Sequence, residues 1–551
     1  MIGLGQNKED EFQLIDRPKD FEYLSAPDSN GVRRNLKMPS IITTKAPATL
    51  NIPYPIIFIH GLNSDSHTWN ITTNWMDAQY NINYAGRFDF CLNYDNNHST
   101  ANLTWASNSS SGDLALFTGT WISGDYYYIN FDVGIDGTFD PYLVNPVNVR
   151  SNQAAIAKQG KAVSRAIKNV LLLTGRDKVI LMGHSMGGLA AREYLQDSTI
   201  WQSDGLSHVA KLVTTGTPHG GSDAPTSIAA FVGVSCTKEA YRDLRTSYSG
   251  TNAPGVYLFG GSESSSIMSL SWCTSFDNLD VNCSGTVGAT ITGLNNKSID
   301  YTSIDYACVI GKCSTCPDGA ELPGDGVVHE YKANINNYCT NCPSTGVTNN
   351  IFYYNSSAQF EIHTDLPEQN YQNMQGLDEP NELSYAYNID FNTLYTGMTT
   401  MQPLGGYPFD YDDYKFYLPV SGDVYVSISG IYNQPDLRAR IYDGSSTASS
   451  YIQIGNDHSN YGSSNFSFTQ NLSAGSYYLE IQSEPTLTSF YDKYKFYLNS
   501  SSTTNLGENT ISAKKILKVT DVLGRETKGN KNELLFYIYD DGTVDKRIIV
   551  E

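Results

Sequence analysis

The run Val179-Ile180-Leu181-Met182-Gly183-His184-Ser185-Met186-Gly187-Gly188 decides how the chain is read. Its four apolar residues have the character of a fully buried strand. Leu189 to Leu195 continues as a helix. The junction is therefore strand, tight turn and helix, with a serine at the apex. Small residues around Ser185 permit the sharp turn and leave its hydroxyl open to substrate. A serine held out in this way is a nucleophile for acyl transfer.

Two flanking stretches add context. Upstream, Pro55-Ile56-Ile57-Phe58-Ile59-His60-Gly61-Leu62 is a buried-strand run ending in His-Gly. Downstream, Leu212-Val213-Thr214-Thr215-Gly216-Thr217-Pro218-His219-Gly220-Gly221 is another strand leading into a tight turn. Over residues 51–370 the chain resembles the α/β-hydrolase family, in particular the bacterial lipases and esterases. That resemblance implies an α/β fold with a doubly wound, mostly parallel sheet.

The chain has 551 residues, enough for about three to four domains. Its 36 basic and 57 acidic residues leave a net charge of −21, which offers nothing to nucleic acid phosphates or an anionic membrane surface. No apolar run is long enough for a transmembrane helix. The 39 tyrosines, with abundant Asn, Ser, Thr and Gly, suit an extracellular protein. Met1 to Gln6 is too short to be a signal peptide, so either the protein is cytoplasmic or a secreted or cell-surface protein has lost its leader; the C-terminal pattern favours the second.

Of nine cysteines, Cys91 stands alone and is the expected thiol. The others lie between Cys236 and Cys342 and include Cys313-x-x-Cys316 and Cys339-x-x-Cys342. Disulfides are the preferred reading in an exported protein, with a four-thiolate zinc site as the alternative.

Residues 1–50 are expected to pack on the first domain as an extension. Residues 80–150, rich in Asn, Ser, Gly and Tyr, read as an insertion. Ser151 to Leu173 has the best helical pattern, with Ser151 or Asn152 as its cap and Gly175 as its end. Residues 221–305 occupy the place of a lipase lid by resemblance; the alternative is a long insertion packed on the core. From about Gln375 the pattern becomes alternating strands, as in Val424 to Ile428 and Tyr477 to Ile481, which predicts an antiparallel β-sandwich. Tyr411 to Leu418 recurs nearly unchanged at Tyr491 to Leu498.

Glu379-Pro380-Asn381, the Asp-Tyr-Lys-Phe strand and Ala474 to Tyr478 resemble the bacterial pre-peptidase C-terminal domain, over 377–500. Some members bind calcium or polymers, which makes Glu379 and Asn381 calcium candidates by resemblance. Residues 501–551 comprise a polar linker and a β-rich tail with Asp541-Gly542 at a hairpin turn. Val519 to Glu526 resembles a type IX secretion sorting signal, which would make secretion machinery a partner; a small accessory β module is the alternative.

A serine nucleophile needs a base, and the base needs an orienting acid. The chain order in this fold is serine, acid, histidine. His329, His363 and His458 follow the serine. His458 lies in the sandwich, and His329 is too close to Asp325 for the two to come from separate loops. His363 follows the strand pattern Ile351 to Tyr354. Bacterial lipases carry their acid in Asp-Gly-Val-Val and their base in a later His-x-Asp, which correspond here to Asp325 and His363. Asp305 is the reserve acid. Backbone N–H groups of Leu62 and Met186 would form the oxyanion hole. Asp365 matches the lipase position that helps hold a structural calcium.

These residues point to a secreted carboxylic ester hydrolase that requires no cofactor and acts on an ester or lipid substrate. The alternatives are a phospholipase or deacylase acting on complex lipids, and a surface adhesin with an idle hydrolase domain. Because every catalytic candidate precedes Gln375, a chain ending there is expected to keep activity on small soluble esters. Oligomeric state is not legible from the sequence.

Overall fold

The computed structural model describes residues 50–92, 121–133, 151–222, 239–245, 255–262, 281, 289–313, 323–356, 362–400, 409–429, 437–447, 449–459, 465–483 and 492–500. It also describes strands at 13–15, 24–27, 33–35, 114–117, 516–520, 534–539 and 544–548, and Thr527. The other cysteines of the presumed disulfide framework (Cys236, Cys273, Cys283 and Cys316), the Asp541-Gly542 turn and most of the sorting-like run lie outside these residues.

Nine strands form the main sheet: β1 (Gln13–Ile15), β2 (Ile56–Ile59), β3 (Tyr84–Leu92), β4 (Leu114–Phe117), β5 (Tyr126–Asn130), β6 (Val179–His184), β7 (Val209–Thr215), β8 (Asp305–Lys312) and β9 (Ile351–Asn355). Their order is β1-β4-β3-β5-β2-β6-β7-β8-β9. The seven strands from β3 to β9 in that order are parallel. At the far edge β4 runs antiparallel to β3, and β1 is parallel to β4. This is the doubly wound, mostly parallel α/β arrangement that the sequence predicts.

The region expected as an insertion at 80–150 thus supplies three strands of the sheet. Among its described tyrosines, Tyr126, Tyr127 and Tyr128 are all buried in β5. Aromatic residues suit a pleated, packed surface, and here their hydroxyls find partners. Tyr126 donates to Asp77, and Tyr127 donates to the carbonyl of Ile122.

Alternate residues of the buried strands serve different faces. Ile57 and Ile59 join one core with Leu181, Leu212 and Ile310. Helices α2 (Ile156–Thr174) and α3 (Met186–Gln196) cover that face with Val163, Ile167, Val170, Ala190 and Tyr194. Ile56 and Phe58 join the opposite core with Met182, Val213 and Val309. Helix α1 (Asn70–Tyr80) and the helix Asn370–Leu377 pack there through Met76, Tyr80, Met374 and Leu377.

Helix α2 begins at Ile156, later than Ser151 or Asn152 would cap it; 151–153 forms a separate 3₁₀ turn. Side chains from far along the chain satisfy its first amides. Glu239 accepts from Ala155 N at 2.9 Å, and Asp243 accepts from Ile156 N at 2.9 Å. Both lie on α4 (Glu239–Asp243), so this part of the expected lid is joined to the core. The helix ends as the sequence predicts, with Gly175 at φ 68°.

The sandwich strands are β10 (Tyr387–Asn388), β11 (Leu394–Thr399), β12 (Asp410–Leu418), β13 (Gly422–Ser429), β14 (Arg438–Asp443), β15 (Gln453–Ser459), β16 (Phe466–Leu472), β17 (Gly475–Ser483) and β18 (Asp492–Ser500). They form sheets of order β10-β12-β17-β14-β15 and β11-β18-β13-β16. The repeated motif supplies one strand to each sheet. Its two copies meet across the core, where the hydroxyls of Tyr414 and Tyr494 are 2.8 Å apart and Tyr414 packs on Phe496. The tail strands 516–520, 534–539 and 544–548 form a three-stranded antiparallel sheet.

The hydrophobic core continues from the α/β sheet into the sandwich without a break. Buried Lys211 also joins them, bonding the Asp305 carboxylate at 2.9 Å and the Asp378 carbonyl at 2.6 Å. A cut near Gln375 therefore passes through packed interior.

Cys339 and Cys342 are joined in a disulfide. Cys91 is buried as a thiol, as expected. So is Cys308, one of the disulfide candidates, which lies inside β8 and is therefore removed from that set.

Candidate active site

Ser185 lies between the end of β6 and the start of α3, at φ 52° and ψ −126°. A side chain rarely adopts this conformation, so the surroundings must hold it. Ser185 N donates to the Thr215 carbonyl at 2.8 Å, and Gly188 N donates to the Ser185 carbonyl at 3.1 Å. Each glycine of the motif faces a close neighbour. A Cβ on Gly183 would lie 2.5 Å from Gly188 N, and one on Gly187 would lie 2.5 Å from the His60 carbonyl oxygen. One on Gly188 would lie 2.0 Å from Thr217 Oγ1.

His363 and Asp325 come together beside this turn. His363 Nδ1 is 2.7 Å from Asp325 Oδ2, and both side chains are buried. The other carboxylate oxygen accepts the amides of Val327 at 2.9 Å and Val328 at 2.6 Å. These bonds fix the carboxylate in place. Gly216 adjoins the pair at φ 58°; a Cβ there would lie 3.1 Å from Asp325 Oδ2 and 3.2 Å from His363 Nδ1.

His184, next to the serine, bonds the His363 carbonyl through Nε2 at 3.0 Å, and the two rings are 4.9 Å apart. A carbonyl only accepts, so Nε2 carries the proton. Burial, with the nearby His363, holds His184 well below the ordinary imidazole range and keeps it neutral. This contact brings the His363 loop to the Ser185 turn.

The other candidates lie elsewhere. His329 caps the short helix Glu330–Ala333, where its Nδ1 accepts the Tyr331 amide at 3.1 Å. His458 stacks on Phe468 in the sandwich. Asp305 begins β8, at the end of the strand away from the serine turn, and pairs with Lys211. His60 accepts the Phe131 amide at Nε2, 2.8 Å away, and supports its loop. His219 is fully buried, with Arg192 at 3.1 Å.

The expected oxyanion donors also border Ser185. Met186 is the first residue of α3, whose N-terminal amides and dipole favour negative charge. A Cβ on Gly61 would lie 2.8 Å from Ser185 Cβ, which brings the Gly61-Leu62 loop against that residue. Leu62 packs with Met186 and Leu189.

Asp365 is half-buried, and its carbonyl accepts from Glu368 N and Gln369 Nε2, both at 3.0 Å. Among the described residues, the group able to gather around a cation is instead Asp378, Asp410 and Asp412. All three are buried, with Glu379 beside them. Asp412 Oδ2 accepts the Tyr494 hydroxyl at 2.6 Å, while its Oδ1 has no hydrogen-bond partner. Burial and mutual repulsion push Asp378 and Asp412 well above the carboxylate range, and burial pushes Glu379 up to about 8. Carboxylates so crowded must share protons or a cation. An all-oxygen set fits a hard divalent ion such as calcium.

The sequence did not single out His184 or Asn373 (described below) as supports. Their bonds join positions far apart in the chain, and no local spacing signals them.

Residues 149–271 match the family described as PGAP1-like alpha/beta domain. No curated protein matches the chain. Among solved structures, a gene product of Listeria innocua is 14% identical over 59% of this chain and 94% of its own, with a TM-score of 0.32. Carboxylesterase CesB from Bacillus subtilis is 12% identical over 59% of this chain and 84% of its own, with a TM-score of 0.26. The pre-peptidase C-terminal domain of Bacillus anthracis collagenase is 16% identical over 22% of this chain and 99% of its own, with a TM-score of 0.16.

Proposed function

We propose that the chain is a secreted serine carboxylic ester hydrolase. The observation that carries this reading is the buried His363–Asp325 pair bonded beside a positive-φ serine. Ser185 Oγ attacks the ester carbonyl while His363 Nε2 takes its proton. Asp325 holds the imidazole by Nδ1–H and stabilises the imidazolium. Leu62 and Met186 amides bind the oxyanion. Collapse of the tetrahedral species breaks the bond to the alkoxy oxygen, and His363 returns the proton to the departing alcohol. Water then attacks the acyl-enzyme with the same base, releasing the acid and restoring Ser185.

The test is a set of purified, folded variants. Ser185→Ala and His363→Ala are each expected to lower kcat by about 10⁵–10⁶, and Asp325→Asn by about 10⁴. Near-normal turnover by His363→Ala on every ester of a short-to-long acyl ladder would overturn the reading. The ladder also separates simple esters from complex lipids as substrates.

Secretion is supported by the Cys339–Cys342 disulfide, which belongs in an oxidising compartment. No helix among the described residues is long and apolar enough to cross a membrane. The C-terminal tail would then carry the sorting function. A structural calcium would be held by Asp378, Asp410 and Asp412 with Glu379, at the junction with the sandwich. It would offset the carboxylates' repulsion and take no part in the ester chemistry.

A further inference from the structure

His363 lies on a loop between β9 and the turn Leu366–Glu368. Asp325 orients its ring and His184 bonds its carbonyl. The chain just beyond it also has a buried support. Asn373, in the helix Asn370–Leu377, is fully buried. Its Nδ2 donates to the Leu366 carbonyl at 3.0 Å and to the Pro367 carbonyl at 3.1 Å, with Thr72 Oγ1 at 3.3 Å. Pro367 also accepts the Thr72 hydroxyl at 2.5 Å.

The other end of the same carboxamide reaches the nucleophile's side. Asn373 Oδ1 accepts from Thr215 Oγ1 at 3.3 Å. Thr215 ends β7, and its carbonyl receives the Ser185 amide at 2.8 Å. The next residue, Gly216, lies against Asp325 and His363, and Leu366 packs on it: a Cβ at Gly216 would be 2.8 Å from Leu366 Cδ1. One side chain thus ties the strand end that supports the serine to the loop that carries the base.

We propose that Asn373 is a positioning residue that sets His363 relative to Ser185. This rests on the triad reading above. An amide is suited to the task because it presents two donors and an acceptor on a rigid plane. Leucine has similar bulk but leaves two buried carbonyls without this donor. Aspartate keeps the acceptor and turns an acceptor toward those carbonyls. Small displacements matter because proton transfer requires hydrogen-bond distance, and a shift of about 1 Å can lower a rate roughly 10²-fold.

The test uses full-length Asn373→Leu and Asn373→Ala, with Thr215→Val as a milder variant that removes only the hydroxyl donor. Rates are divided by the concentration of folded protein, measured by near-UV circular dichroism at a temperature well below each midpoint. Val170→Ala, in the α2 core far from the triad, controls for lost stability. The Asn373 variants are expected to lose about 10- to 100-fold in kcat with KM within about threefold. Thr215→Val should lose several-fold in kcat, and Val170→Ala should lower the unfolding midpoint with kcat unchanged. If Asn373→Leu does not fold, Asn373→Ala and Thr215→Val decide. Folded variants that keep wild-type kcat, or lose it in the same proportion as Val170→Ala, would overturn the proposal. His363→Ala is run in parallel: if it retains turnover, the triad assignment itself has failed.

Discussion

Gly187 shows how narrowly the Ser185 turn is built. Its α-carbon faces backbone, with His60 O and Ile59 O at 2.5 and 2.6 Å from where a Cβ would stand. Backbone in a central strand cannot retreat without breaking its ladder. Gly188 instead faces the Thr217 side chain. Gly187→Ala is therefore expected to destabilise by at least about 1–3 kcal/mol, the usual range for overpacking, and to displace Ser185. Gly188→Ala should be partly rescued by Thr217→Ala, which removes both the Oγ1 and the methyl that a Cβ there would meet, whereas Gly187→Ala should not be; unfolding midpoints of the two single and two double variants compare them. Two of the buried histidines add a pH dependence. His184 and His219 are held well below the ordinary imidazole value by burial, so the folded state disfavours their protonation. The unfolded chain then binds more protons as pH falls below about 6.5, and folding stability must fall with it. Above that value both forms are neutral and this loss disappears. Melting curves from pH 5 to 8 should rise and then flatten in the wild type, and His219→Gln should lessen the rise. The neighbourhood of Ser185, Asp325 and His363 was legible because chain order and local motifs confine these positions, and His363 does meet Asp325. His184 and Asn373 were not, because their importance lies in which carbonyl each reaches.

Strands and helices were legible where one face decides their pattern, and less so where tertiary contacts decide. The period of β12 and β18 is plain in the sequence, and both form as expected. The β3–β5 strands were hidden because tyrosine-rich segments bounded by Asn and Gly resemble surface loops. The start of α2 was misread because its first amides are met by Glu239 and Asp243 rather than by a local cap. Glu239 also pairs with Lys158 Nζ at 2.9 Å, where Lys158 is wholly buried. Removing Glu239 would take this carboxylate from a buried ammonium and from the Ala155 amide. Glu239→Ala should therefore lower stability by about 3–5 kcal/mol, as breaking a buried pair does. Adding Lys158→Met should recover much of that loss, since an unbranched apolar chain can fill the same space. Urea unfolding of the single and double variants gives the coupling directly; an additive result would show that the pair does not anchor α4 to α2.

At the scale of the molecule, the change of pattern near Gln375 marks a change of fold class but not a break in packing. Met374 and Leu377 belong to the same core as Val213 and Val309 on one side and Tyr395 and Phe416 on the other. A Cβ on Gly376 would lie 2.7 Å from Val213 Cγ1, so this helix lies directly on the parallel sheet. Ending the chain at Gln375 would strip the sandwich from that core. Lys211 would keep Asp305 but lose the Asp378 carbonyl, and Tyr54 would lose the ring of Tyr387, 5.1 Å away. The exposed surface would be apolar and continuous, which favours aggregation. Such a chain is expected to be insoluble or to melt far below the full protein, contrary to what the position of the triad alone suggests. The cation pocket gives a gentler test of the same junction. Asp378 contributes its carbonyl to Lys211 and its carboxylate to the pocket, so an ion held there would brace the two regions together. Chelation of the full-length protein should lower its unfolding midpoint, and added calcium should restore it in proportion to the logarithm of its concentration once the site is saturated. Asp412→Asn should abolish the calcium response, because it removes one charge from the group while leaving Ser185, Asp325 and His363 untouched. A midpoint indifferent to both chelator and calcium would mean that the carboxylates hold shared protons instead, and the brace would rest on Lys211 and the apolar core.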